Sequence, residues 1–207
     1  MINPRKATIW AGALIASGAA IIATTHADAA GDSIKFRMQR SPGIVAAGCL
    51  PDAKAKVVVR NHGPVEEMKV HAWGLARRTE FDLFVIQVPN APFGVSWYQG
   101  DLETDRHGEA EGTFIGRFNE ETFAVAPGTA TAPSVHSSPI PDATSNPAFG
   151  PIHTYHLGLW FNSAKDAAKA GCAATVTPFN GEHDAGVQVL NTDQFGDRHG
   201  PLRRLKP

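Results

Sequence analysis

No segment of this chain stays apolar for the ~20 residues that a membrane-spanning helix needs; the longest run, residues 9–23, stops short of it. Neither sign of charge is in excess, with 19 Lys and Arg against 20 Asp and Glu. Net charge therefore recruits neither nucleic acid nor an anionic membrane surface. Cysteine is nearly absent: Cys49 and Cys172 are the only two, which limits the chain to one internal disulfide. Catalytic signatures are missing too. Ser96, Ser134, Ser137 and Ser138 lack a Gly-x-Ser-x-Gly setting. Glu66-Glu67 and Glu120-Glu121 are neighbours that diverge on a strand and cannot flank one bond, and read as solvated strand ends. There is no phosphate-binding Gly loop and no repeat of fixed period, so no cofactor is expected.

What is present starts with residues 1–30. Arg5 and Lys6 precede the apolar run, and Ala27-Asp28-Ala29 places small residues around a cleavage point after Ala29 or Ala30. This is the layout of a secretory signal peptide. It predicts a protein secreted to the exterior or held in the cell envelope, with no membrane span once the leader is removed. Use of the same run as an uncleaved anchor would call for a longer apolar stretch. Without Arg5, Lys6 and Asp28 the mature chain, 31–207, keeps 17 basic and 19 acidic residues. Its length suits one domain with a real core.

Export makes a Cys49–Cys172 disulfide the expected state of the two thiols. A rival use exists for the first of them. Val45-Ala46-Ala47-Gly48-Cys49 looks like a lipoprotein box, but such a box should close the apolar part of a leader, and Lys35, Arg37 and Arg40 intervene.

Short alternating segments follow one another along the mature chain. Ile34, Phe36 and Met38 alternate with Lys35, Arg37 and Gln39, the period of a half-buried strand. Residues 53–60, 68–73 and 81–88 read as further strands, the last nearly continuous in apolar residues as for a central strand. Residues 97–104 and 110–118 flank Asp105-Arg106-His107-Gly108 and predict a β-hairpin. From 126 to 151, six prolines exclude helix and predict a long surface loop, with an interdomain linker as the alternative. Residues 155–161 alternate again. Ser163 and Asp166 then resemble a capping box, 164–170 a short helix, and Gly171 its C-terminal stop. Strands at 173–177 and 186–190 complete an all-β fold: an antiparallel β-sandwich, Ig-like or Greek-key, with one short helix and the long Pro-rich loop.

Gly74-Leu75, followed by Thr79-Glu80-Phe81-Asp82-Leu83, and Gly100-Asp101-Leu102 with Thr104-Asp105 and Gly108 carry a resemblance. Over about a third of the mature chain, residues 57–118, they resemble copper/zinc superoxide dismutases and the related CHRD domains of exported bacterial β-sandwiches. The resemblance implies the sandwich architecture. It does not bring the copper site with it, because those dismutases carry His-x-His on the strand after Gly-Leu, and here that strand reads Phe81-Asp82-Leu83-Phe84-Val85-Ile86.

The mature chain has eight histidines, and His153 and His156 are the only close pair. Three apart on a strand, they face opposite ways unless a bulge intervenes. A metal site gathered from separate strands would draw on His71, His156 and His183, and would make the chain an exported metal-dependent enzyme, a dismutase-like oxidoreductase or a hydrolase. The acidic positions 101–111 loosely follow a calcium loop, but Gly108 falls at the eighth position and not the sixth, which favours a hairpin with a charged outer face. Aromatics remain. Phe93, Trp97 and Tyr98 cluster around a Pro/Gly loop and are the candidate binding residues, where rings stack on a glycan or anchor a protein partner. Trp73 and Trp160 fall on the polar phase of their strands and would otherwise fill the second face of a sandwich. The expected function is a non-catalytic binding or structural role outside the cell.

Overall fold

A computed structural model of the chain describes residues 33–118, 121–123, 150–152, 154–178 and 184–205. Residues 1–30, where a leader is expected, nearly all of the Pro-rich 126–151 segment, His153 and His183 lie outside the described residues.

In chain order the elements begin with β1 (Ser33–Arg40), α1 (Pro42–Ala46), β2 (Lys54–Asn61) and β3 (Glu66–Trp73). Then come β4 (Glu80–Ile86), β5 (Ser96–Glu103), β6 (Ala110–Gly116), β7 (Glu121–Phe123) and β8 (Gly150–Ile152). They end with β9 (His156–Phe161), α2 (Ala164–Lys169), β10 (Thr177–Pro178), β11 (Asp184–Ala185) and β12 (Gln188–Asn191), followed by two single 3-10 turns. Strand alternation decides the layers. β1 buries Ile34, Phe36 and Met38, β2 buries Ala55, Val57 and Val59, and β3 buries Met68, Val70 and Ala72. The residues that alternate with them on each strand face outward.

Four antiparallel strands, β1-β2-β3-β6, make one layer, and β5-β4-β9-β12 make the other. Gln39 and Arg40, the last residues of β1, cross over to pair with Asn191 and Leu190 of β12. This stitch joins the layers into one eight-stranded sheet that curls until its terminal strands, β5 and β6, lie side by side. The result is an antiparallel β-sandwich that is nearly a closed barrel. Around the seam the strands run β3-β6-β5-β4, a Greek-key order.

The predicted hairpin is half right. The Asp105–Gly108 turn forms as read, with the Asp105 carboxylate accepting the N–H groups of His107 (2.7 Å) and Glu109 (3.0 Å). The strands it joins then part, β5 to a ladder with β4 and β6 to a ladder with β3. What holds the seam is side-chain packing over glycine. The Phe114 ring lies against Gly100, where a Cβ would come within 2.8 Å of it, and Leu102 lies as closely over Gly112. Gly100 also has φ 146°, a conformation other residues avoid.

Inside the sandwich Phe81, Leu83, Val85, Leu157, Leu159 and Phe161 of the second layer meet the inward residues of the first. A second, smaller core sits on the outside of the second layer, where Phe84, Ile86, Trp160 and Ala185 are buried together with Phe93 against them.

Two short helices, not one, end on the cysteines, and they are built alike. Ser41 caps α1 and Ser163 caps α2 through their hydroxyls. Each helix then stops on Ala-Gly-Cys: Gly48 (φ 63°) and Gly171 (φ 75°) turn left-handed, and the N–H groups of Cys49 and Cys172 return to the carbonyls of Ile44 and Ala167. These are Schellman stops. They set the two cysteine Cα atoms 5.4 Å apart, and the disulfide is formed. The lipoprotein-box use of Cys49 is thereby overturned, since its thiol is bonded and the box residues form the end of α1 and its stop. The strand read at 173–177 is also shorter: only Thr177–Pro178 finds a partner, Asp184–Ala185, because 173–176 follow the helix stop exposed and unpaired with any described strand.

Candidate functional site

Among the described residues the histidines do not converge. His71 stands on the outward face of β3, while His156 is on β9 in the other layer, with no exposure at all. They point out of opposite sides of the sandwich, and His183 lies outside the described residues. Among the described residues no group of three or more His, Cys, Asp or Glu is placed to hold a metal ion. Copper does not fit these residues: β4 has no histidine, and both ring nitrogens of His156 are engaged. Its Nε2 lies 3.1 Å from the Asp197 carbonyl, which can only accept, so Nε2 carries the proton. Nδ1 then accepts from the Thr192 hydroxyl at 2.9 Å.

Burial lowers the His156 imidazole below its ordinary value of about 6.5. The unfolded chain therefore takes up a proton on acidification before the folded one does. Stability from this group is complete above about pH 6.5 and is lost as pH falls toward the depressed folded value. Melting curves of the wild type and His156→Gln across that range check this. The wild-type midpoint should fall more steeply with acidification than that of the variant; parallel curves would assign the acid loss to other groups.

The residues behind the dismutase-like motifs are architectural. Leu75 is buried, and its N–H bonds to the Gly108 carbonyl at 3.1 Å. Arg78 N–H bonds to the Asp105 carbonyl at 3.0 Å, and the Thr104 hydroxyl donates to Ala76 O at 2.6 Å. Gly74 and Gly108, both at positive φ, let backbone pass where a Cβ would strike Asp52 O and Leu75 O. Gly-Leu and Gly-Asp-Leu…Asp-x-x-Gly thus lock two turns together at one end of the sandwich.

The three candidate aromatics separate. Phe93 adopts φ 61° and is half-buried, its ring 5.2 Å from Trp160 in an edge-on contact, so it belongs to the small outer core. Trp97 and Tyr98 are not on a loop but on β5, the terminal strand of its layer. They are its exposed rings, 45% and 38% accessible, and as consecutive strand residues they face opposite ways. Tyr98 stacks edge-on against Phe84, and its hydroxyl donates to Asp101 at 2.5 Å. Burial and this carboxylate push the phenol well above its usual range. In the sequence Asp101 reads only as part of a charged hairpin; the bulge that pairs Gly100 with Leu83 but Tyr98 with Phe84 brings the two onto one face.

Around that pair the outward side of β4 and β5 is acidic. Glu80 opposes Glu103 and Asp82 opposes Asp101 across the ladder. Partial burial, and then the nearby Asp101, raise the Glu80 carboxyl. Glu66, read as a solvated strand end, is instead 1% exposed; its carboxylate accepts the Phe118 N–H at 2.5 Å and sits 3.8 Å from the Arg117 guanidinium. Compared with known protein families, characterised proteins and solved structures, the chain matches none of them.

Proposed function

We propose that this chain is an exported, non-catalytic β-sandwich protein, one domain over 31–207 after a leader at 1–30, and that it works by binding a glycan at the β5 edge. Its likeness to the dismutase and CHRD sandwiches is then one of architecture. The observation that carries the reading is the exposure of Trp97 and Tyr98, consecutive on a terminal strand and presenting one ring on each of its faces. Sugars present apolar C–H faces and hydroxyl rims together. An exposed indole suits the first; on the opposite face of the strand the Asp101 carboxylate and the phenol bonded to it suit the second, so the glycan would lie over the strand edge. The edge is strand and not loop, so little conformational entropy is lost on binding.

A glycan array with the purified protein tests this, followed by Trp97→Ala. The variant should lose the captured glycan while its melting midpoint moves by no more than about 3 °C, as for an exposed side chain. A wild type that captures no glycan, or a midpoint drop of many degrees in the variant, would remove Trp97 from a contact role.

A further inference from the structure

A different surface of the sandwich carries charge of the opposite sign. The outward face of β1-β2-β3-β6 holds Lys35 and Arg37 on β1, Lys54, Lys56 and Arg60 on β2, and Lys69 on β3. Among the described residues of these strands, only Glu67 and Glu111 counter them on that face. Glu67 is already shared by Arg60 (3.6 Å) and Lys69 (3.3 Å). Among the described residues, Lys35, Arg37, Lys54 and Lys56 make no ion pair. Register sharpens this: Arg37 stands directly opposite Lys56, a like-charge pair that repels across the ladder. The small net charge of the chain, -1, conceals this face, because carboxylates on the other layer, at Glu80, Asp82, Asp101 and Glu103, offset it.

From strand spacing and rise, the six cations occupy about 10 by 20 Å. Neighbouring charges are closer than the ~8 Å Debye length of physiological salt, so their fields add. A shallow groove runs through the patch, lined by Lys56, Val58, Lys69, His71, Glu111 and Thr113. We infer that this sheet face docks a linear anionic polysaccharide along that groove.

Charge complementarity asks for a polyanion, and the rest of the face selects its kind. Single-stranded nucleic acid binders combine such charge with open aromatic platforms for the bases. The one ring here, Trp73, is already covered by His71 at 5.1 Å and Lys54 at 5.5 Å. Duplex readers insert a helix or ribbon into a groove, and this face is the flat side of a sheet. Four of the six cations are lysines, compact point charges that suit carboxylate or sulfate groups repeated along a chain, without bidentate phosphate geometry.

Retention on immobilised heparin, and titration with polygalacturonate, test the inference, with neutral dextran and oligo-dT as comparison ligands. Binding to both anionic glycans is expected, with release above roughly 0.2 M salt, where the Debye length falls below the charge spacing. Arg37→Glu with Lys56→Glu exchanges one like-charge pair for another, so the melting midpoint should hold while affinity falls more than about tenfold. Trp97→Ala should leave this binding untouched, which separates it from the β5 edge. No retention, retention indifferent to the double variant, or tighter binding to oligo-dT than to either glycan would overturn it. So would low-salt self-association that the double variant abolishes without any glycan binding, which would assign the face to a second copy.

Discussion

Removing the Cys49–Cys172 bond should lower the melting midpoint by roughly 10–20 °C. The bond closes a loop with a sequence separation of 123. In the chain-entropy treatment, a loop of that size restricts the unfolded ensemble by about 4–5 kcal/mol, and each kcal/mol is worth about 2–4 °C in a domain of this length. Native geometry adds to the case, because both cysteines are presented by helix stops that would form without the bond. Cys49 and Cys172 are 5% and 9% exposed, so reductant should act slowly on the folded protein. Cys49→Ser with Cys172→Ser gives the cleaner measurement, compared with the wild type by calorimetry without reductant. Two thiols that label at full stoichiometry in the native wild type, or a double variant melting within about 3 °C of it, would show that the bond is not what restrains this chain.

Most of the fold was legible because it rests on alternation, which is local. Ile34, Phe36 and Met38 announce β1 without reference to any other strand. Pairing is not local, and there the sequence misled: the tight turn at Asp105–Gly108 predicts that β5 and β6 share a ladder, yet each pairs with a different strand, β4 and β3, in a different layer. Phe114 over Gly100 decides this, a contact between residues whose closeness only the closed seam creates. The helix and stop ahead of Cys49 were readable in principle, since Ser-capped segments ending in Ala-Gly-Cys occur twice, at 41–49 and 163–172.

The candidate site was less legible for the same reason. Exposure of Trp97 and Tyr98 and burial of Phe93 depend on what packs over each strand, and a strand phase cannot say whether its outward side meets water or a second core. Trp160 shows the point: it lies on the polar phase of β9 yet is fully buried. Net charge hid the basic sheet face as well. Lys35, Arg37, Lys54, Lys56 and Lys69 become one surface only once β1, β2 and β3 are in register.

Trp160 is also where a single substitution should cost most within a layer. Its indole contacts Phe84 at 5.4 Å and Phe93 at 5.2 Å, both edge-on, and folds back over Gly158 two residues earlier on the same face. Trp160→Ala removes that burial and leaves a cavity, a loss of about 3–5 kcal/mol. Gly158→Ala should also destabilise, although a strand ordinarily gains about 0.5–1 kcal/mol from exchanging glycine for alanine. Here the new Cβ would overlap the indole and stand 2.9 Å from the Gln188 amide nitrogen, an overpacking cost of about 1–3 kcal/mol. The two costs have one origin and should not add. With the indole gone, the methyl group added by Gly158→Ala has room and fills part of the cavity, so the double variant should be more stable than the sum of the singles by at least about 1 kcal/mol. Urea midpoints for the four proteins of this cycle measure it. Strict additivity would mean that Gly158 is not there to receive the ring, and the outer core would then need another explanation for its glycine.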